Sequence, residues 1–149
     1  MTMSMQDSIG LTRTRPVISA VGAKAVLLAA EAKAAELGVP VTIAVVDDRG
    51  DLKALLGMDG APKGATQWAI DKAVTAASFR TPTHILGQAV SDYPAAVASF
   101  MGQPNATSVP AGYPLVIGGD VVGGIGASGG SPEQDQVLAE AALSALGTS

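Results

Sequence analysis

The sequence predicts an α+β fold built around one antiparallel sheet. Its predicted elements follow in the order helix, hairpin, helix, helix, hairpin, helix, and hairpins favour antiparallel pairing over a doubly wound parallel sheet. Both faces of the first predicted strand are apolar, with Ile43 and Val45 on one face and Ala44 and Val46 on the other. Helices, or a second copy of the chain, are therefore expected to cover both faces of the sheet.

The first helix is predicted over 16–37. Thr14 is placed as its cap, Pro16 in its first turn and Gly38 as its stop signal. Apolar residues at helical spacing predict a stripe formed by Val17, Val21, Ala25, Leu28 and Ala32. Residues 1–13 lack such periodicity and are predicted to be a flexible arm, which leaves a single domain over 14–149.

Glycines, prolines and apolar runs set the remaining boundaries. The predicted strands are 41–47, 51–56, 113–117 and 121–127, paired in order as two hairpins. The predicted helices are 65–80, 84–91, 94–100 and 132–146, with loops over 57–64 and 101–112. Ser131 and Gln134 have the spacing of a capping box at the start of the last helix.

Composition excludes several classes of function. The chain has no cysteine, which excludes disulfides, thiolate catalysis and iron–sulfur clusters, and its single histidine excludes sites that need two imidazoles. Scattered basic residues and a net charge of −4 argue against nucleic acid as a partner. No apolar run is long enough for a membrane span, and no metal site is predicted. The N-terminus lacks a secretory apolar region, so the cytoplasm is the expected compartment.

The apolar character of the chain predicts a homo-oligomer. Hydrophobic residues make up 48% of the sequence and charged residues 15%. The mean hydropathy is +0.35. Charged residues usually supply about a quarter of a soluble domain, so part of this surface is expected to be covered by another copy.

Two cations on the central helix are candidates for binding a carboxylate. Trp68, Lys72 and Arg80 share one helix face at spacings of four and eight, and Lys and Arg side chains hydrogen-bond carboxylates. In the structural alternative, Lys72 pairs with Asp71 or lies over Trp68. Arg80 would then only complement the helix dipole at the end of the helix.

Two loop or helix-end residues are candidates for proton transfer. Asp59 follows a predicted strand and could be a general base or ligand contact, although an Asx turn with Gly60 is the simpler interpretation. His84 could be an axial haem ligand, a general base or a capping residue. Tyr93 and Tyr113 precede prolines and could close a pocket or belong to the core.

A glycine motif precedes the last helix. Gly124, Gly126 and Gly129 match the G-x-G-x-x-G pattern, but no second strand or later acidic residue follows to complete a dinucleotide site. Two interpretations stay open. Free amides at the helix start could bind an anion, or the glycines could allow a sharp turn from strand to helix.

Several separated segments resemble the GlcG/HbpS family, also called haem-degrading or PduO C-terminal-like. They are 45–52, 58–61, 69–83, 114–130 and 132–135, in an order and spacing similar to the family's over about 15–147. The resemblance implies a profilin-like fold with a five-stranded antiparallel sheet flanked by helices, assembled as dimers or larger oligomers. The additional strand is expected near 109–112. Gly57 stands where the family commonly has an arginine, and Arg80 is a candidate to replace that cation.

The resemblance implies binding of haem or another planar or carboxylated small molecule. Under this hypothesis the cofactor-binding candidates are Met58, Arg80, His84 and Tyr113. The alternative is a cofactor-independent tautomerase, isomerase or lyase that acts on a small carboxylated catabolic intermediate. Its candidate catalytic residues are Asp59, Lys72 and His84. A regulatory or structural oligomer without a ligand is the third hypothesis.

Overall fold

The computed structural model describes residue 2 and residues 10–147. The helices are α1 (Ala20–Leu37), α2 (Ala65–Phe79), α3 (Thr83–Val90), α4 (Pro94–Met101) and α5 (Pro132–Ala142), and a 3₁₀ turn follows at Leu143–Leu146. The strands are β1 (Thr42–Asp47), β2 (Leu52–Gly57), β3 (Gly112–Ile117) and β4 (Asp120–Ser128). Most of the arm predicted over 1–13 lies outside the described residues.

The four strands form one antiparallel sheet in the order β2-β1-β4-β3. Asp47 pairs with Gly123 and Thr42 with Ser128, so both hairpin turns lie at the same end of the sheet, called here the turn end. The opposite end, where β1 and β3 begin and β2 and β4 finish, is called the open end. The α+β class and the antiparallel sheet are confirmed.

Helices cover both faces of the sheet, as predicted. Ile43 and Val45 belong to a core with α1 and α5, whereas Ala44 and Val46 pack against α2. Alternation of side chains along a strand sends these two sets in opposite directions. Within residues 2 and 10–147, no helix combines the length and apolar character that a bilayer crossing requires.

The expectation of a fifth strand is wrong for the described part of the chain. The sheet there has four strands, and the segment predicted to be the fifth leads directly into β3. Thr83 Oγ1 donates to the Val109 carbonyl at 2.7 Å and accepts from the Gly112 amide at 3.0 Å. These side-chain bonds take the place of ladder bonds to a further strand.

The predicted start of α1 is also wrong. The helix begins at Ala20, and Ser19 is its cap, with its hydroxyl accepting from the Gly22 amide at 3.0 Å. Thr14 and Pro16 precede the helix, because the Ile18 amide donates to the Val122 carbonyl at 3.0 Å and holds this segment against β4. Proline fits an extended segment as well as a first helical turn, so its position alone did not locate the boundary.

The apolar stripe predicted on α1 faces outward. The buried residues of α1 are Ala23, Val26, Leu27, Ala30 and Ala34. Val21 is 81% exposed and Leu28 48% exposed. Alanines on the buried face let α1 approach α5 and the sheet closely, and helical periodicity does not choose between two apolar faces.

The glycines of β4 bring α2 onto the sheet. A Cβ at Gly126 would overlap the Ala69 carbonyl oxygen, and one at Gly124 would overlap the Ala73 carbonyl oxygen. Both glycines lie inside β4, not in the turn that follows it. Of this motif, only Gly129 has the positive φ, 133°, that a sharp turn uses. The predicted capping box of Ser131 and Gln134 is confirmed.

Candidate functional site

A cavity opens at the open end of the sheet, between the start of α2 and the start of α5. Its volume is about 340 Å³. It is called the Lys72 cavity, and its wall contains Pro62, Gly64, Ala65, Trp68, Lys72, Val109, Ser128, Gly129, Gly130, Pro132 and Asp135. Most of this wall is apolar, which is typical of sites that bind small organic molecules.

Lys72 forms the floor of the cavity. Its side chain is 1% exposed, and its Nζ donates a hydrogen bond to the Ala127 carbonyl at 2.8 Å. Burial disfavours the charged ammonium and lowers the pKa of Lys72, while the nearby Asp135 carboxylate acts in the opposite direction. Lys72 is thus a desolvated amine at the base of a largely apolar cavity.

Asp135 faces Lys72 from the first turn of α5. Its Oδ2 lies 3.6 Å from Lys72 Nζ, an ion-pair distance that exceeds a direct hydrogen bond. Its Oδ1 accepts a hydrogen bond from the Gly130 amide at 2.8 Å, and the side chain is 4% exposed. The carboxylate is held in place, and Lys72 retains hydrogen-bonding capacity toward the cavity.

Trp68 stands at the rim of the cavity, one helical turn before Lys72. The residue is 48% exposed, so its indole is open to solvent or to a ligand. Large aromatic side chains stack on planar molecules and bury much area at little cost in entropy. The Lys72 cavity therefore combines a stacking surface at its mouth with a charged pair at its floor.

Met58 and Asp59 line a different cavity, at the same end of the sheet. Glu31, Leu56 and Gly57 complete its wall, and its volume is about 340 Å³. The Met58 amide donates to the Val41 carbonyl at 2.9 Å, which continues the β1–β2 ladder. Neither residue is part of the wall of the Lys72 cavity.

Arg80 lies at the turn end of the sheet, away from Lys72. It ends α2 in the left-handed conformation, with φ 56°, and lines a cavity with Arg13, Arg15 and Asp48. Although Lys72 and Arg80 share a helix, the length of α2 places them at opposite ends of the sheet.

His84 and Tyr113 contact each other beside the edge strand β3. Their ring centroids are 5.9 Å apart with the planes tilted by 59°. Burial raises the pKa of Tyr113, and the Gln136 side chain acts in the opposite direction. His84 Nδ1 is buried and has no hydrogen-bond partner among the described residues.

The predicted site residues thus fall in four places. His84 and Tyr113 are brought together, Met58 and Asp59 are brought together, and Lys72 and Arg80 each lie elsewhere. Sequence reasoning did not identify Asp135 as the partner of Lys72, because the two are far apart along the chain. The position of Asp135 directly after a capping box, in the first turn of the helix, was the available signal, since first-turn carboxylates reach the amides before the helix.

Comparison with known proteins identifies the family. A family model described as haem degrading protein HbpS-like matches residues 18–144. The chain belongs to the GlcG/HbpS family. Protein GlcG of Escherichia coli K12 is 34% identical over 116 residues, which is 78% of this chain and 84% of GlcG. A 15.0 kDa uncharacterised protein of the dhaT-dhaS intergenic region of Citrobacter freundii is 37% identical over 131 residues, covering 85% of this chain and 89% of that protein.

Solved structures of GlcG/HbpS proteins share the fold. A double mutant of Streptomyces reticuli HbpS has a TM-score of 0.84 at 28% identity and covers 93% of both chains. A PduOC:heme complex has a TM-score of 0.79 at 31% identity, over 88% of this chain and 96% of that chain. This family membership supports a small-molecule-binding protein.

The residues of this GlcG/HbpS chain fit part of what haem would require. The Lys72 cavity offers a stacking surface and a cation, which suit a planar molecule with carboxylates. It contains no histidine, and His84 Nδ1 has no partner among the described residues to fix the ring as an iron ligand. The lining of the cavity therefore includes an aromatic surface and a cation but no imidazole to ligate iron.

Proposed function

We propose that the Lys72 cavity binds a small planar molecule that carries a carboxylate. The observation that carries this proposal is the desolvated Lys72 amine under an apolar wall whose rim is Trp68. Stacking on the indole would bury the planar body, and a carboxylate turned toward the floor would meet the Lys72 ammonium in a low-dielectric setting. The proposed compartment is the cytoplasm. The proposed setting is catabolism, as the family resemblance implies.

A porphyrin is one planar acid that suits these residues. Iron-free protoporphyrin IX has the plane and carboxylates of haem but offers no metal to a histidine. If contacts with Trp68 and Lys72 account for porphyrin binding, haemin and protoporphyrin IX will bind with similar affinity. If iron ligation carries it, haemin will bind much more tightly.

Titrations of both porphyrins test the proposal by absorbance and tryptophan fluorescence. Trp68 is the one tryptophan of the chain, so its quenching follows porphyrin binding in the wild-type chain, and absorbance follows binding in Trp68→Ala. Trp68→Ala is expected to weaken porphyrin binding by about tenfold, from loss of a stacking contact of roughly 1 kcal/mol or more. Tyr93→Ala is the matched control, because Tyr93 is 65% exposed and lies outside the Lys72 cavity.

His84→Ala decides between this cavity and an iron site at His84. The proposal predicts an unchanged affinity and Soret band for haemin. If His84→Ala loses haemin binding and Trp68→Ala keeps its haemin affinity, the binding site is at the His84–Tyr113 pair and the proposal is refuted. Saturation at one porphyrin per subunit separates specific binding from surface adsorption.

A second candidate function is a cofactor-independent enzyme that acts on a small carboxylated compound. The observation that favours it is the lowered pKa of Lys72 beside the Asp135 carboxylate, because a neutral amine can be a base or attack a carbonyl. Incubation with pyruvate and borohydride would trap an imine, formed with loss of water, as a secondary amine on Lys72. Mass spectrometry would detect this adduct in the wild-type chain and not in Lys72→Arg.

We further propose that the outer face of α1 pairs with a second copy of the chain. Val21, Ala25, Leu28, Ala32 and Ala35 are exposed there at alternating spacings of four and three, the spacing of a helix–helix seam. Lys24 and Glu31 flank this seam on one side. In an antiparallel pair related by a two-fold axis, Lys24 of each copy would face Glu31 of the other.

Sedimentation velocity tests this interface. Leu28→Glu is expected to shift the protein toward a smaller species, because a charge would be buried in the seam. Leu55→Glu is the control, since Leu55 is 42% exposed against 48% for Leu28 but lies on β2. Dissociation by Leu55→Glu and not by Leu28→Glu would contradict the proposal.

A further inference from the structure

Three of the four arginines of this acidic chain line one cavity at the turn end of the sheet. Arg13 and Arg15 come from the segment before α1, and Arg80 comes from the end of α2. The cavity has a volume of about 340 Å³, and Asp48, Gly119 and Asp120 are also part of its wall. It is called the arginine cavity here. The wall holds three guanidinium groups and two carboxylates, Asp48 and Asp120, and the Asp47 carboxylate also acts on Arg15. An anion would be attracted by the guanidinium groups that no described carboxylate pairs.

Two of these arginines have no ion-pair partner in the part of the chain that the structure describes. Arg15 pairs with Asp48, but no described residue forms a salt bridge with Arg13 or Arg80. Arg80 is brought to the cavity by the end of α2, where its amide donates to the Ala76 carbonyl. Guanidinium groups bind phosphate and carboxylate oxygens through paired hydrogen bonds, so this arrangement suits an oxyanion.

Asp48 adds a requirement for a hydrogen-bond donor. Its Oδ2 accepts from Arg15 Nε at 2.5 Å, whereas its Oδ1 is buried and has no donor among the described residues. A buried carboxylate oxygen without a donor is destabilising, and an O–H group would satisfy it. Arg15 is 42% exposed and lines the same cavity as Asp48.

We propose that the arginine cavity binds hydrogen phosphate, either free or as the monoprotonated group of a small phosphate ester. The unprotonated oxygens accept from the guanidinium groups, and the P–OH donates to Asp48 Oδ1. Sulfate at neutral pH has the same shape and charge but no hydrogen to donate, so it would bring two acceptors together. The site lies at the opposite end of the sheet from the Lys72 cavity, so its failure in a test leaves the proposed function unaffected.

Calorimetric titration of the full chain with inorganic phosphate and with sulfate tests the proposal. In HEPES buffer at pH 7 and low ionic strength, phosphate is expected to bind at least about tenfold more tightly than sulfate. Arg80→Ala is expected to weaken phosphate binding by about tenfold or more. Arg49→Ala is the matched control, because Arg49 is the arginine outside this cavity and its loss should leave affinity unchanged.

Asp48→Asn tests the role of the P–OH. An asparagine amide can donate as well as accept, so the preference for phosphate over sulfate is expected to fall to near unity. Glycerol phosphate distinguishes the two sources of ligand, since at pH 8 the ester lacks the hydrogen that inorganic phosphate keeps, whereas at pH 5.5 both ligands carry at least one hydrogen. Equal affinity for phosphate and sulfate in the wild-type chain, insensitivity to Arg80→Ala, or no binding at millimolar phosphate would each overturn the proposal.

Discussion

Replacing Lys72 by methionine tests whether the floor of the cavity is an interdependent charged pair. The change keeps an unbranched side chain of similar length but removes the ammonium that faces Asp135 at 3.6 Å. Asp135 is then left as a buried carboxylate, 4% exposed at its side chain, with only the Gly130 amide as a hydrogen-bond partner. Breaking a buried pair in this way costs about 3–5 kcal/mol, so we expect that loss in the free energy of unfolding.

The double variant Lys72→Met, Asp135→Asn gives the magnitude of the coupling. The asparagine side chain is neutral and its carbonyl could still accept from the Gly130 amide, so the buried charge disappears. The Ala127 carbonyl still loses its donor, which costs about 1–3 kcal/mol. The double variant is therefore expected to recover about 2 kcal/mol of what the single variant loses.

Urea unfolding followed by circular dichroism measures these differences, because the midpoint shifts with stability while the slope reports surface exposure. In thermal unfolding the single variant should lower Tm by roughly 6–20 °C for a domain of this size. A loss of stability below about 1 kcal/mol for Lys72→Met would refute the coupling of Lys72 and Asp135. So would a loss in the double variant equal to the sum of the losses in Lys72→Met and Asp135→Asn.

Three further predictions concern pH, packing and capping. Because Lys72 has a lowered pKa, the native state releases this proton at a lower pH than the unfolded chain does. The contribution of Lys72 therefore makes the free energy of unfolding rise with pH until the pH reaches the ordinary lysine pKa of 10.5. Urea titrations at pH 8 and 9.5 should show this rise in the wild-type chain and not in Lys72→Met, which would assign the rise to Lys72. The raised pKa of Tyr113 makes the free energy of unfolding fall with pH above about 10. Gly126→Ala should lower the free energy of unfolding, measured in urea, by about 3 kcal/mol or more, because the added methyl group overlaps the backbone of α2. Gly64→Ala should leave it nearly unchanged, because no atom lies within 4 Å of its added Cβ. Ser131→Ala should cost about 1 kcal/mol by thermal unfolding, and no change would mean that the capping box is not formed in solution.

Close packing of α2 on β4 has a direct consequence for the candidate site. The glycines of β4 allow the backbone of α2 to lie against the strand, and this approach lets Lys72 Nζ reach the Ala127 carbonyl. A side chain at Gly126 would push the helix away from the sheet. The glycine motif thus contributes to the site by positioning a helix, while the amide before α5 is occupied by Asp135.

Local signals in the sequence determined the class of fold and most element types. Turn residues, strand alternation and the capping box act over a few neighbouring positions, so the two hairpins, α2 and the start of α5 could be predicted. The family was also accessible, because its motifs keep their order along the chain. Lys72 was identified as a candidate on the same basis, from its place on a helix face.

Tertiary structure decided which face of α1 is buried, where that helix begins and which residues meet at each cavity. Both faces of α1 are apolar, and only the positions of α5 and the sheet select Ala23 and Ala30 over Val21 and Leu28. The pairing of Lys72 with Asp135 joins elements from distant parts of the chain, as does the pairing of Arg15 with Asp48. Such contacts depend on the relative placement of packed elements, which periodicity within a single element does not encode.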